Sequence, residues 1–207
     1  MPQVTVGAGK QRNRRPVFPV DGNFDTFISR IQSPALQAVA QSWQEARGTK
    51  QMPSWTDIAS PALLSYSKVL WSYSFDPETG EFTCRSAGRF GTWVGGDFCD
   101  RRLQDLHPPS TYREAQQYLT KVVTTPLAGR LSGRLFTVGD IAVTGERIVL
   151  PLAADGKTGD GVLGASDYVS PPLLGPFEMV YENIEWYAIG EGTERIPDQI
   201  AEIPKAP

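Results

Sequence analysis

The apolar positions first recur with a helical period. Phe24, Phe27, Ile28 and Ile31 fall at i, i+3, i+4 and i+7, which predicts a short amphipathic helix. It serves as either a core-covering turn or a dimerisation arm. A second helix is better marked. Ser33 is an N-cap, Pro34 suits the first helical position, and Leu36, Val39, Ala40 and Trp43 share a face. Gly48, just after Arg47, stands where a C-terminal cap belongs. A third helical turn is predicted at Ser60-Pro61-Ala62-Leu63-Leu64.

The period then changes to two. Val69, Trp71, Tyr73 and Phe75 alternate with small or polar residues, and Asp76-Pro77-Glu78-Thr79-Gly80 turns the chain into Glu81 to Ser86. The rest of the chain is expected to pack on this hairpin or to pair with it. A Gly-punctuated stretch, Ala87 to Asp97, leads to a helical turn at Arg101 to Leu106 and then to His107-Pro108-Pro109. The longest helix is predicted over Tyr112 to Val123. Thr111 and Glu114 have capping-box spacing, and Pro126 stops the helix. Three strands complete the pattern: Arg130 to Val138, Ile141 to Ala153 and Gly161 to Tyr168. In the second, Glu146, Ile148, Leu150 and Leu152 alternate with Arg147, Val149 and Pro151, and Pro151 points to an edge or a bulge.

Strand pairs joined by meanders, with helices between, indicate an α+β fold. The chain divides into a basic leader with a short amphipathic helix (residues 1–32), a central domain (33–170) and a Pro- and Glu-rich extension (171–207). Met1 to Gly22 has little apolar content and is expected to be flexible. In the extension, Met179-Val180-Tyr181 and Ile184 to Ile189 are too apolar for a free tail, so that part is expected to dock on the domain or on a partner.

Several passages in this order resemble the PAS domain. Phe82-Thr83-Cys84-Arg85-Ser86-Ala87-Gly88 is similar to the end of the second PAS strand. Gly95-Gly96-Asp97 through Arg102-Leu103-Gln104-Asp105-Leu106-His107-Pro108 is similar to the passage before the long PAS helix. Gly164-Ala165-Ser166 matches the small-residue last strand. Trp43, Arg47-Gly48, Met52-Pro53 and Asp57-Ile58 resemble a stand-alone bacterial PAS family abundant in alphaproteobacteria, whose pattern often carries Gly where Asp100 stands. The resemblance implies a five-stranded antiparallel sheet of order 2-1-5-4-3, helices on one face, and N-terminal flanking helices. It implies a non-catalytic sensory or regulatory role in signal transduction, through small-ligand binding, protein contacts or both. A ligand-free dimerisation module is the alternative, and a small α+β enzyme ranks behind it.

Composition narrows the chemistry. A net charge of -3 offers no basic field for nucleic acid. No apolar run reaches membrane-span length, and two cysteines suit a reducing cytoplasm. Gly95-Gly96-Asp97-Phe98 resembles the GGDEF loop of diguanylate cyclases but lacks its Glu. Gly7-Ala8-Gly9-Lys10 is an incomplete phosphate loop. Cys99 lies near the reactive cysteine of flavin-binding PAS domains, yet Phe98 replaces the Asn before it and Asp100 disfavours a thiolate. It reads as a small buried hydrophobe. His107, the only histidine, precedes the long helix, whereas haem-binding PAS domains carry theirs on it. It reads as a structural residue bonding backbone near Pro108. No flavin, haem or metal is therefore expected.

Ligand contacts are expected from Trp71, Arg89, Phe90, Trp93, Tyr112, Arg134 and Leu135, between sheet and helices, with the two arginines supplying charge for an anion. These aromatics either enclose a pocket or fill the core. The expected partners are a small molecule, a second copy of the chain and a separate signalling protein, with the signal leaving through the N-terminal helices.

Overall fold

The computed structural model describes residues 20–88, 98–169 and 177–190. The leader (residues 1–19), Arg89, Phe90, the Gly91 to Asp97 passage and the ends of the extension lie outside the described residues.

Six helices and eight strands are described: β1 (Gly22–Asn23), α1 (Phe24–Arg30), α2 (Pro34–Arg47), α3 (Trp55–Ile58), α4 (Pro61–Leu64), β2 (Leu70–Asp76), β3 (Glu81–Ser86), α5 (Leu103–Leu106), α6 (Pro109–Thr124), β4 (Leu127–Val138), β5 (Ile141–Leu152), β6 (Gly161–Tyr168), β7 (Phe177–Met179) and β8 (Glu185–Ala188). The sheet runs β1-β8-β4-β5-β6-β2-β3, and β7 also pairs with β4. It is thus wider than the expected five strands. Three short strands from the chain's two ends extend it on the β4 side. All pairings are antiparallel except β1 with β8.

Local chemistry sets the element ends. The Ser33 hydroxyl accepts from Leu36 N–H, and Gly48 closes α2 at φ +55. The Asn23 side chain accepts from Thr26 N–H at the start of α1. Ser54 and Asp57 form a reciprocal capping box on α3. The long helix begins earlier than its expected start at Tyr112. Pro109 occupies the first turn, where its missing N–H costs nothing, and no side chain caps the end. Thr111 therefore lies inside the helix, and the Thr111–Glu114 pair is not a cap. Asp100 adopts φ +61, the left-handed conformation that glycine favours, while its N–H donates to the Cys84 carbonyl at 2.9 Å. Gly88 cannot be replaced so: its φ is +51, and a Cβ there would collide with the Leu70 carbonyl.

Helices cover both faces of the sheet, not one. Ile148, Leu150 and Leu152 of β5 and Leu163 and Ala165 of β6 pack with Phe27, Leu36, Val39 and Trp43 of α1 and α2. This is the N-terminal face. The alternating residues Val149 and Val162 pack with Ala115, Leu119 and Val122 of α6 on the other face. This double coverage leaves Glu146 to Leu152 continuously buried. Pro151 lies on this interior strand rather than on an edge. The β4 ladder with β5 ends at the Gly129–Val149 pair, so Pro151 pairs only with Val162 of β6. Its carbonyl accepts from the Trp43 indole N–H at 2.9 Å.

A buried ion network seals the N-terminal face. Glu146 accepts from Arg130 Nε at 2.7 Å and from the backbone N–H groups of Gln32 and Ser33 between α1 and α2. Arg130 Nη1 also reaches Glu185 at 2.7 Å, and the Tyr187 hydroxyl donates to the same carboxylate oxygen.

Candidate ligand-binding site

The second face holds a cavity. Its interior volume is about 60 Å³, and it lies between β2, β5 and β6 of the sheet and the cover formed by α5, α6 and residues 177–190. One water needs roughly 10–15 Å³ on this measure, so the space admits about four to six water-sized groups. Trp71 and Tyr73 come from β2, Arg147 from β5, and Ser166 and Tyr168 from β6. Phe98, Leu106 and His107 come from the α5 region, Tyr118 and Leu119 from α6, and Met179 and Tyr181 from the C-terminal segment.

Period-two geometry explains this set. Trp71 and Tyr73 share one face of β2, opposite to Leu70 and Ser72. Arg147 and Ser166 are directly paired across β5 and β6. The Ser166 hydroxyl oxygen accepts from Trp71 Nε1 at 3.0 Å and from Arg147 Nε at 3.2 Å. Gly164 makes room for the indole, because a Cβ there would collide with the Trp71 ring.

Arg147 is 2% exposed. Apart from Ser166, its guanidinium meets, among the described residues, the Met179 thioether, 3.5 Å from Nη2, and the Tyr181 ring, 6.0 Å to the centroid. No carboxylate pairs with it among the described residues, whose buried ion pair belongs to Arg130. On the cavity wall, His107 Nδ1 and the Tyr118 hydroxyl are also buried with no hydrogen-bond partner among the described residues. Burial, with Arg147's charge adding to it, pushes the His107 pKa down to about 4, so the imidazole is neutral at pH 7. Burial pushes the Tyr181 hydroxyl up to about 12, with Arg147 opposing, and raises Tyr73 and Tyr118 as well. The cavity thus presents one buried cation, Arg147, with the exposed Lys68 also on its lining, and neutral hydroxyls and an imidazole within largely apolar walls. A groove of about 450 Å³ runs between α6 and residues 179–186 and shares Tyr118, Met179 and Tyr181 with the cavity.

The expected contact residues are only partly brought together. Trp71 lines the cavity. Tyr112 packs on the Phe82 cluster without lining it. Arg134 is exposed and pairs with Glu182 at 3.1 Å, so it brings no charge to the interior. Leu135 is fully buried in a neighbouring cluster. A register shift between Arg134 and Phe136 breaks the alternation there, and Phe136 reaches the cavity instead. Arg89, Phe90 and Trp93 lie outside the described residues. His107 lines the cavity, and its Nδ1 has no hydrogen-bond partner among the described residues. Cys99 is exposed rather than buried, and neither cysteine is in a disulfide. Sequence reasoning missed Arg147 and Ser166. The signal for Arg147 was that it shares a strand face with Val149 and Pro151, on a strand buried on both faces.

A largely antiparallel sheet with helices on both faces and a cavity beneath one of them defines an α+β domain. A family model of the PAS domain matches residues 31–166, and the chain belongs to that family. PAS domains are in general non-catalytic sensory or regulatory modules. No curated protein and no solved structure matches the chain. No helix among the described residues is long and apolar enough to cross a membrane.

Proposed function

We propose that this PAS domain is a non-catalytic sensor in signal transduction that binds a small molecule in the cavity beside Arg147 and reports occupancy by protein contact. The buried guanidinium at the cavity wall, with no acid paired to it among the described residues, carries this reading. A domain held only by packing has no use for it, since burying a charge without a counter-ion is destabilising.

The C-terminal segment is the natural output. Met179 and Tyr181 form part of the cavity wall, and their segment lies beyond the family-matched residues. It joins the sheet through β7 and β8 on β4. The N-terminal helices, the expected route, pack on the opposite face. Occupancy therefore biases the seating of residues 177–190, and a separate signalling protein reads that change. A cytoplasmic homodimer without nucleic-acid or membrane contact belongs to the same proposal, supported by the mild negative charge and the cysteine usage.

The test is hydrogen exchange on the full chain across a metabolite library ranked by thermal shift. Compounds that raise Tm are expected to slow exchange in residues 177–190. A library with no stabilising compound, or stabilisation that leaves that segment unchanged, overturns the proposal.

A further inference from the structure

The two buried arginines among the described residues are treated differently. Arg130, 4% exposed, holds two carboxylates, Glu146 and Glu185, each at 2.7 Å. Arg147, 2% exposed and directly across the sheet from Ser166, holds none among the described residues. A guanidinium cannot shed its proton to escape burial. Its Nε–H is satisfied by Ser166 and one terminal nitrogen meets a thioether, a weak acceptor. The remaining N–H groups have no acceptor among the described residues, and they belong to a side chain that lines a cavity. None of the described residues supplies its counter-charge, and a bound anion would.

We infer that the cavity takes a small organic carboxylate, its anionic head on the Arg147 guanidinium and its apolar body against Trp71, Phe98, Leu106 and Leu119. This rests on the proposed ligand-sensing function and names the ligand class. The planar fork of arginine matches a carboxylate in two parallel hydrogen bonds. One buried cation in a mostly apolar enclosure, the lining's other cation Lys68 being exposed, suits a monoanion with an apolar body better than a multiply charged phosphate. Neutral His107, through Nδ1, and the Tyr118 hydroxyl, both buried with no hydrogen-bond partner among the described residues, add hydrogen-bonding atoms to the same wall. The interior of about 60 Å³ limits the buried part to a few non-hydrogen atoms, with the groove beyond Tyr118 and Tyr181 open to a longer body.

The experiment titrates the full-length protein by calorimetry and thermal shift with straight-chain acids from acetate to hexanoate, benzoate and phenylacetate. Each acid is paired with its uncharged amide, and inorganic phosphate is run alongside. At least one acid is expected to bind and raise Tm where its amide and phosphate do not. Arg147→Met is expected to weaken that acid by about a hundredfold or more, since a desolvated charge pair is removed. Arg147→Lys, which keeps the charge without the fork, is expected to fall between. Circular dichroism of both variants checks that the fold is retained. Amides binding as well as acids, phosphate binding better than either, or acid binding that survives in Arg147→Met would overturn the carboxylate assignment while leaving a ligand-binding cavity. No acid and no amide binding overturns the assignment and removes the support for a small-molecule sensor together.

Discussion

Glu146→Ala tests how the N-terminal helices are fastened to the sheet. The Glu146 side chain is 7% exposed, and it accepts from Arg130 Nε at 2.7 Å, Gln32 N–H at 2.9 Å and Ser33 N–H at 2.8 Å. Truncation removes the counter-charge of a buried arginine and leaves two backbone donors at the α1–α2 junction without their acceptor. Breaking a buried ion pair from one side costs about 3–5 kcal/mol. Arg130 keeps Glu185, whose side chain is 35% exposed, so the lower end of that range applies. For a chain of this size the loss corresponds to a fall in Tm on the order of 10 °C. Glu146→Gln keeps acceptor oxygen but loses the charge, and is expected to cost roughly half as much. Urea denaturation supplies the magnitude, and hydrogen exchange over residues 24–47 shows where the loss falls. A change under about 1 kcal/mol for Glu146→Ala, or exchange in α1 and α2 that stays at the wild-type level, would refute the reasoning.

His107 makes stability depend on pH. Its pKa falls from 6.5 to about 4 on folding, so the unfolded chain binds the proton more readily than the native one. Its contribution is complete above pH 6.5 and is lost as pH falls toward 4, by at most roughly 3 kcal/mol at 1.36 kcal/mol per pH unit. His107→Leu is expected to flatten the stability profile within that window, and an unchanged profile would remove His107 as the cause. Gly164→Ala drives the Trp71 indole off the sheet and breaks its bond to Ser166. The expected cost is about 1–3 kcal/mol, with a changed near-ultraviolet dichroism spectrum. A wild-type spectrum and stability would mean that the indole does not rest on Gly164.

The helix ends on the N-terminal side were legible because their caps are local. Ser33, Pro34 and Gly48 mark α2 from the sequence alone. The start of α6 was not, because Thr111 and Glu114 imitate a cap, while Pro108 and Pro109, one turn earlier, set the actual boundary. The docking of 177–190 was visible in its apolar residues, but the strand it joins depends on a register that no local pattern encodes. The cavity was legible in part. Trp71 follows from strand alternation, whereas Phe136 replaces Leu135 because a bulge interrupts that alternation. Arg147 was hidden for a physical reason. An arginine alternating with apolar residues reads as the solvent side of a strand, and only the helices over both faces make its position interior.

The most direct test is the electron density around Arg147 in crystals of the full chain, grown with the tightest-binding acid from the panel. The expected result is a carboxylate within hydrogen-bond distance of the guanidinium, its body between Trp71 and Leu119. A cavity filled by the chain's own side chains, with one of its own acids paired to Arg147, would contradict a ligand site there.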